Sequence, residues 1–220
     1  MSSGFNPALI PFLMFGGFFA FIVFAIWLAA KSAQKTRVRI EQLAANLGLT
    51  VEPPRVTLGI FHHAPKVTGV RRGKRMEIFA YTTGSGKSRT HWAAIAATPR
   101  ADGGLTFSIT RQGFGSKIAE LFGSKEIQVG DHAFDSTWFI QTNRPDFFAA
   151  ALLPELRAKL TATTQNASRG ATFKLEHGRV VYAEIGSFYD QARCARFESA
   201  ADVVCDLADV AEVNADNSLR

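Results

Sequence analysis

The chain has 220 residues, 47% of them apolar and 20% charged, with a net charge of +6. That balance excludes a disordered or collagen-like chain, and two cysteines exclude a small disulfide-stapled scaffold. Charge is uneven: residues 1–30 carry none, residues 31–125 carry 16 basic and 5 acidic side chains, and residues 126–220 carry 9 and 14. A basic first part and an acidic second part predict an acidic partner for the first, or attraction between the two.

Residues 8–30 form an uninterrupted apolar run. At about 1.5 Å per residue it reaches about 34 Å, enough for a hydrocarbon core of about 30 Å. Pro7 and Pro11 fall at its start, where a helix tolerates missing amide donors. No basic residue precedes the run, which argues against a cleavable signal peptide. The first charges are Lys31, Lys35, Arg37 and Arg39, and cations flanking a span tend to stay in the cytoplasm. The expected topology is an anchor within residues 1–33, an N-terminus outside, and a C-terminal domain on the cytoplasmic side of the cytoplasmic membrane. In that orientation the sequon Asn166-Ala167-Ser168 meets no glycosylation. Gly16 and Ala20 lie four apart with Gly17 beside them, a small-residue face on which a second helix packs closely. The expected partners are the lipid bilayer and another membrane protein or a second copy of the chain.

Residues 34–52 read as an amphipathic stalk: Ile40, Leu43, Ala44 and Leu47 recur at helical spacing, and Gly48 is a stop. No breaker lies between Trp27 and Leu47, so anchor and stalk are predicted to be one helix. Residues 53–220 form the soluble domain. Segments 66–71 and 74–83 flank an Arg72-Gly73 turn; 89–98 follows a Gly-Ser-Gly loop and 105–110 follows Asp102-Gly103-Gly104, together a β-meander. Residues 116–122 read as a short helix, 136–142 as a strand, and 145–160 as a helix interrupted near Pro154. A hairpin over 172–176 and 179–185 turns at His177-Gly178. The last helix covers about 189–213, with Cys194, Phe197, Ala201, Val204, Ala208 and Ala211 on its buried stripe and Asp202, Asp206 and Asp209 on its wet side. The predicted class is α+β, an N-terminal transmembrane helix followed by a mostly antiparallel β-meander domain covered by helices.

Gly130-Asp131-His132-Ala133-Phe134-Asp135, then a strand, Arg144-Pro145-Asp146 and Leu152-Leu153-Pro154-Glu155-Leu156-Arg157, give the chain a resemblance to uncharacterised bacterial membrane-anchored proteins. They are similar in having an apolar N-terminal helix, a meander, this stretch, and a hairpin before a last helix. The resemblance implies the architecture and transfers no catalytic residue.

Gly84-Ser85-Gly86-Lys87-Ser88 contains the end of a phosphate-binding loop. Such a loop needs a glycine where this chain has Tyr81, and a helix where it has a β-like segment, so the stretch reads as a hairpin loop. His62, His63, His91, His132 and His177 lack the spacing of a zinc site. Asp131 and Asp135 read as turn and strand-start residues rather than paired catalytic carboxylates. Cys194 and Cys205 lie about 16 Å apart on one helix face, too far for a disulfide, and read as core. The strongest surface feature is Lys66, Arg71, Arg72, Lys74 and Arg75 around one hairpin tip. It is a candidate contact for anionic phospholipid or an acidic protein. Nucleic acid is not expected, because no aromatic residues line the patch. The reading is a membrane-tethered, non-catalytic interaction or accessory protein, as a peripheral subunit of a membrane complex, with no cofactor or metal. The alternative is a membrane-anchored enzyme whose site assembles only in space.

Overall fold

The structure is a computed structural model that describes residues 9–52, 56–57, 61–62, 66–112, 126–168 and 170–218. The expected helix over 116–122 and residue His63 lie outside the described residues.

Helix α1, Leu9–Leu47, joins anchor and stalk without a break. Gly48 ends it at φ +68°, a conformation that costs a residue without Cβ nothing. Its amide donates to the Ala45 carbonyl at 3.1 Å and the Leu49 amide to that of Ala44 at 2.8 Å. This double bond pattern satisfies carbonyls that the helix end would leave unpaired.

Strands β1 (Thr50–Val51), β2 (Val56–Thr57), β3 (Phe61–His62), β4 (Val67–Arg71), β5 (Lys74–Thr83), β6 (Thr90–Thr98), β7 (Phe107–Arg111), β8 (Glu126–Ile127), β9 (Trp138–Thr142), β10 (Thr172–Glu176) and β11 (Arg179–Ile185) follow. Nine of them form one antiparallel sheet in the order β1-β4-β5-β6-β11-β10-β7-β9-β8, and β2 pairs with β3 apart from it. The turn at Arg72-Gly73 has both central residues at positive φ, 51° and 74°, matching the twist of its strands. The meander holds from β4 to β6 and stops there. The β10–β11 hairpin sits between β6 and β7, with β11 registered on β6 from Val180 opposite Ala97 to Ile185 opposite Trp92.

Four further helices lie among the described residues: α2 (His132–Asp135), α3 (Pro145–Ala151), α4 (Pro154–Thr163) and α5 (Gln191–Ser218). Pro145 and Pro154 each stand in a helix's first turn, which is why the stretch splits into two. Along β5, Met76 and Ile78 point into the core while Arg75 points out, the alternation of a strand with one covered face. That face meets α5, whose Cys194, Phe197, Ala201, Val204, Cys205, Ala208 and Ala211 join one cluster with Ile95, Val180 and Tyr182. The alanines Ala93 and Ala97 on β6 let α5 approach the sheet. The opposite face carries a smaller cluster of Ala94, Ala96, Val181 and Ala183, edged by Phe79, Tyr81 and Trp92.

Candidate membrane-proximal interface

Helix α1 changes character along its length. From Phe18 to Leu28 its large apolar side chains are exposed on every side, Phe19 by 70% and Ile26 by 64%. An amphipathic helix of a soluble domain would bury one stripe of them. By length and composition this helix is able to cross a membrane. From Ile40 onward the same helix buries Ile40, Leu43, Ala44 and Leu47 against the domain, chiefly on α5. Burying three large aliphatic side chains contributes roughly 1.5–3 kcal/mol each. Asn46 adds a hydrogen bond from Nδ2 to Glu198 Oε1 at 2.7 Å. Gly17 has open space around it on the bare segment, and Ala20 is exposed there; Gly16 belongs to the same helix.

Between bare and docked parts lies a cationic stripe. Lys31, Lys35 and Arg39 recur every four residues and line an open groove of about 560 Å³ together with Val38, Gln42 and Tyr189. Tyr189 comes from the turn before α5. Lys31 Nζ lies 4.8 Å from the Trp27 ring centre and Lys35 Nζ 5.8 Å from that of Tyr189. Arg37, off this stripe, is paired with Glu41 at 2.8 Å. Lys31, Lys35 and Arg39 have no ion pair among the described residues.

The basic hairpin β4–β5 is differently placed. Asp202, Asp206, Asp209 and Glu212 run down one face of α5, and the hairpin lies against them. Arg71 Nη2 reaches Asp202 at 2.9 Å; Arg72 bridges Asp206 at 2.6 Å and Asp209 at 2.8 Å; Lys74 Nζ meets Asp209 and Glu212, both at 2.8 Å. Lys159 closes the row on Asp206 at 2.7 Å. The side expected to be wet is thus an ion-pair seam. Lys74 is only 4% exposed; burial opposes its charge, but Asp209 and Glu212 hold its pKa above the usual lysine value. Burial likewise works against Asp206 and Glu212, yet Lys159 and Arg72 hold the first below the carboxylate range, and the Arg100 amide and Lys74 the second. Lys66 and Arg75 sit at the margin, both near Glu77, at 3.7 and 3.4 Å.

A second charged cluster escaped sequence reasoning. Glu184 on β11 is fully buried and accepts from Tyr182 Oη, from Arg193 Nε at 3.3 Å, and from Arg196 Nε and Nη2 at 2.8 and 2.7 Å. Burial and the neighbouring carboxylate push the Tyr182 phenol up, so it stays protonated and donates. The only trace in the sequence is a glutamate inside the apolar strand 180–185.

The remaining motifs have structural roles. Gly86–Ser88 is one 3-10 turn leading into β6, so no helix follows Lys87. Asp131 caps α2 by accepting from the Phe134 amide at 3.2 Å. Asp135 ends α2, rather than opening a strand, and accepts from the amides of Val129 and Gly130. Cys194 and Cys205 are free and buried, and burial raises both thiols. Among the described residues, no three His, Cys, Asp or Glu side chains gather to hold a metal.

Comparison with protein families and with curated proteins finds no match. Among solved structures, the crystal structure of the mycobacterial trehalose monomycolate transport factor A, TtfA, matches with a TM-score of 0.47 and 14% identity, covering 80% of this chain and 93% of that one.

Proposed function

We propose that this chain is a membrane-tethered, non-catalytic interaction protein of the bacterial cytoplasmic membrane, an accessory subunit that holds its domain at a fixed height over the cytoplasmic face. The observation that carries the reading is the single helix α1, bare over residues 18–28 and packed into the domain over residues 40–47. An anchor that is also a core helix transmits position, as a flexible tether would not. The small-residue face at Gly16, Gly17 and Ala20 receives the partner, a helix of another membrane protein or of a second copy. At the domain, Arg71, Arg72 and Lys74 are held by α5, and the hairpin margin, where Lys66 and Arg75 share the single carboxylate of Glu77, offers it a basic edge.

Crosslinking in native membranes tests this. Gly17→Leu keeps the helix apolar but blocks close approach, so the wild-type adduct should weaken severalfold. An unchanged adduct pattern reduces α1 to a plain anchor. A phosphatase active only outside the cytoplasm, fused after Arg220, should stay silent; strong activity would reverse the orientation.

A further inference from the structure

We infer that the groove between α1 and Tyr189 binds the headgroup of an anionic phospholipid, held by Lys31, Lys35 and Arg39. The inference rests on the membrane-tethered reading and adds a specific ligand site to it. Two clusters of cations stand out on the chain, the β4–β5 hairpin and this stripe, and they differ in what they already hold. The hairpin cations Arg71, Arg72 and Lys74 each have a carboxylate of α5 within 3 Å. Lys31, Lys35 and Arg39 have none among the described residues. Charges that no described carboxylate neutralises are the ones left for a ligand.

Their height fits the bilayer. Lys31 directly follows the apolar run, and Lys35 and Arg39 stand about 6 and about 12 Å further along the axis. The headgroup layer on each side of a bilayer is about 5–7 Å thick. Lys31 and Lys35 therefore fall at phosphate depth, and Arg39 faces the layer from above. Tyr189 is half exposed beside Lys35, and an aromatic ring with a polar end suits that depth. Val38, 54% exposed, supplies an apolar wall in the same groove. The groove is thus cationic on one side and amphipathic on the other, and it is open to solvent. Zwitterionic lipid would bring a choline or ethanolamine cation to the same place and gain less.

The full chain reconstituted into vesicles of equal phosphatidylglycerol and phosphatidylcholine, then extracted gently, can be weighed with its retained lipid by native mass spectrometry. Each cation near an anionic surface strengthens attachment ~5-fold. Wild type should retain phosphatidylglycerol over phosphatidylcholine by at least ~10-fold, and K31Q/K35Q/R39Q should fall to within about 2-fold. The exposed single changes K31Q and K35Q, which leave the docked part of α1 untouched, should each show part of the loss. R71Q/R72Q should keep the preference. Equal retention by wild type, or preference kept by the triple variant, overturns the site. Loss of preference in the hairpin variant alone would put the lipid on the hairpin instead. Displacement by glycerol phosphate at matched concentration would assign the groove to a soluble phosphate and overturn the lipid. Failure of the chain to enter vesicles at all is a different result, which sinks the anchor itself.

Discussion

Glu184 shows how much one side chain governs here. A carboxylate with no exposure is costly to bury unless charge and hydrogen bonds meet it. Its partners come from two elements: Tyr182 two residues back on β11, and Arg193 and Arg196 three apart on the first turns of α5. Arg193 also donates to the carbonyls of Ile185 and Ser187, so the cluster locks the strand-to-helix connection. Glu184→Ala would leave Arg196 without its carboxylate and Arg193 with only its backbone acceptors in a mostly buried site. We expect a loss of ~3–5 kcal/mol in urea unfolding. Tyr182→Phe removes one donor and leaves the pairs, so ~1 kcal/mol is expected. A Glu184→Ala loss below that of Tyr182→Phe would mean the arginines find other acceptors.

At the scale of elements, the seam between the hairpin and α5 has a pH signature. The folded pKa values of Asp206 and Glu212 lie below their ordinary 3.8 and 4.5. Unfolding therefore takes up protons in acid, and the stability these groups supply, present above those ordinary values, is lost as pH falls through the lower folded ones. Lys74 and Arg72 are shifted upwards, so their share is complete below their ordinary values and is lost only as pH rises, well into the alkaline range, through the higher folded ones. The unfolding midpoint should be flat near neutrality and fall below about pH 4.5. Asp206→Asn should make that fall shallower, and an acid limb as steep as wild type would mean other carboxylates govern it. Charge reversal gives a second check: Arg72→Glu should lower the midpoint, and Asp206→Arg added to it should recover part of the loss.

This seam also marks how far sequence reading reaches. The hairpins at Arg72-Gly73 and His177-Gly178 are legible because turn chemistry and strand alternation are local. So is the core stripe of α5, which follows helical spacing from Cys194 to Ala211. The basic first part and acidic second part do announce an attraction, but which Asp meets which Arg spans some 130 residues that only folding brings together. The insertion of β10–β11 beside β6 is hidden for the same reason, since nothing local to β7 says that its neighbour comes from later in the chain. Lys31, Lys35 and Arg39 are visible as a stripe, yet Tyr189 makes them one wall of a groove, and it arrives from the far end. Glu184 is missed because a lone glutamate in an apolar strand carries no motif.

For the whole molecule, the consequence of α1 is mechanical. One helix runs 39 residues, about 58 Å at about 1.5 Å per residue. Its packed end is fixed by Ile40, Leu43 and Leu47 and by the turn at Gly48 and Leu49, so motion of the anchor relative to the domain must bend the helix. A proline in the exposed middle would remove one backbone hydrogen bond and clash with the preceding turn, at ~3 kcal/mol or more in helix terms. Placed at Ala33, it lies between the bare span and the first docked side chain, Ile40. Domain stability should then change little, because no buried contact is touched. Orientation should change a great deal. Spin labels at Leu28→Cys and Lys87→Cys, in a chain whose two native cysteines are buried, report this directly. In vesicles the wild-type helix should give a narrow distance distribution, and Ala33→Pro a broad or shifted one with the urea midpoint unchanged. A narrow, unshifted distribution in the proline variant would show that the domain is held in place by its own contact with the bilayer and not by the helix.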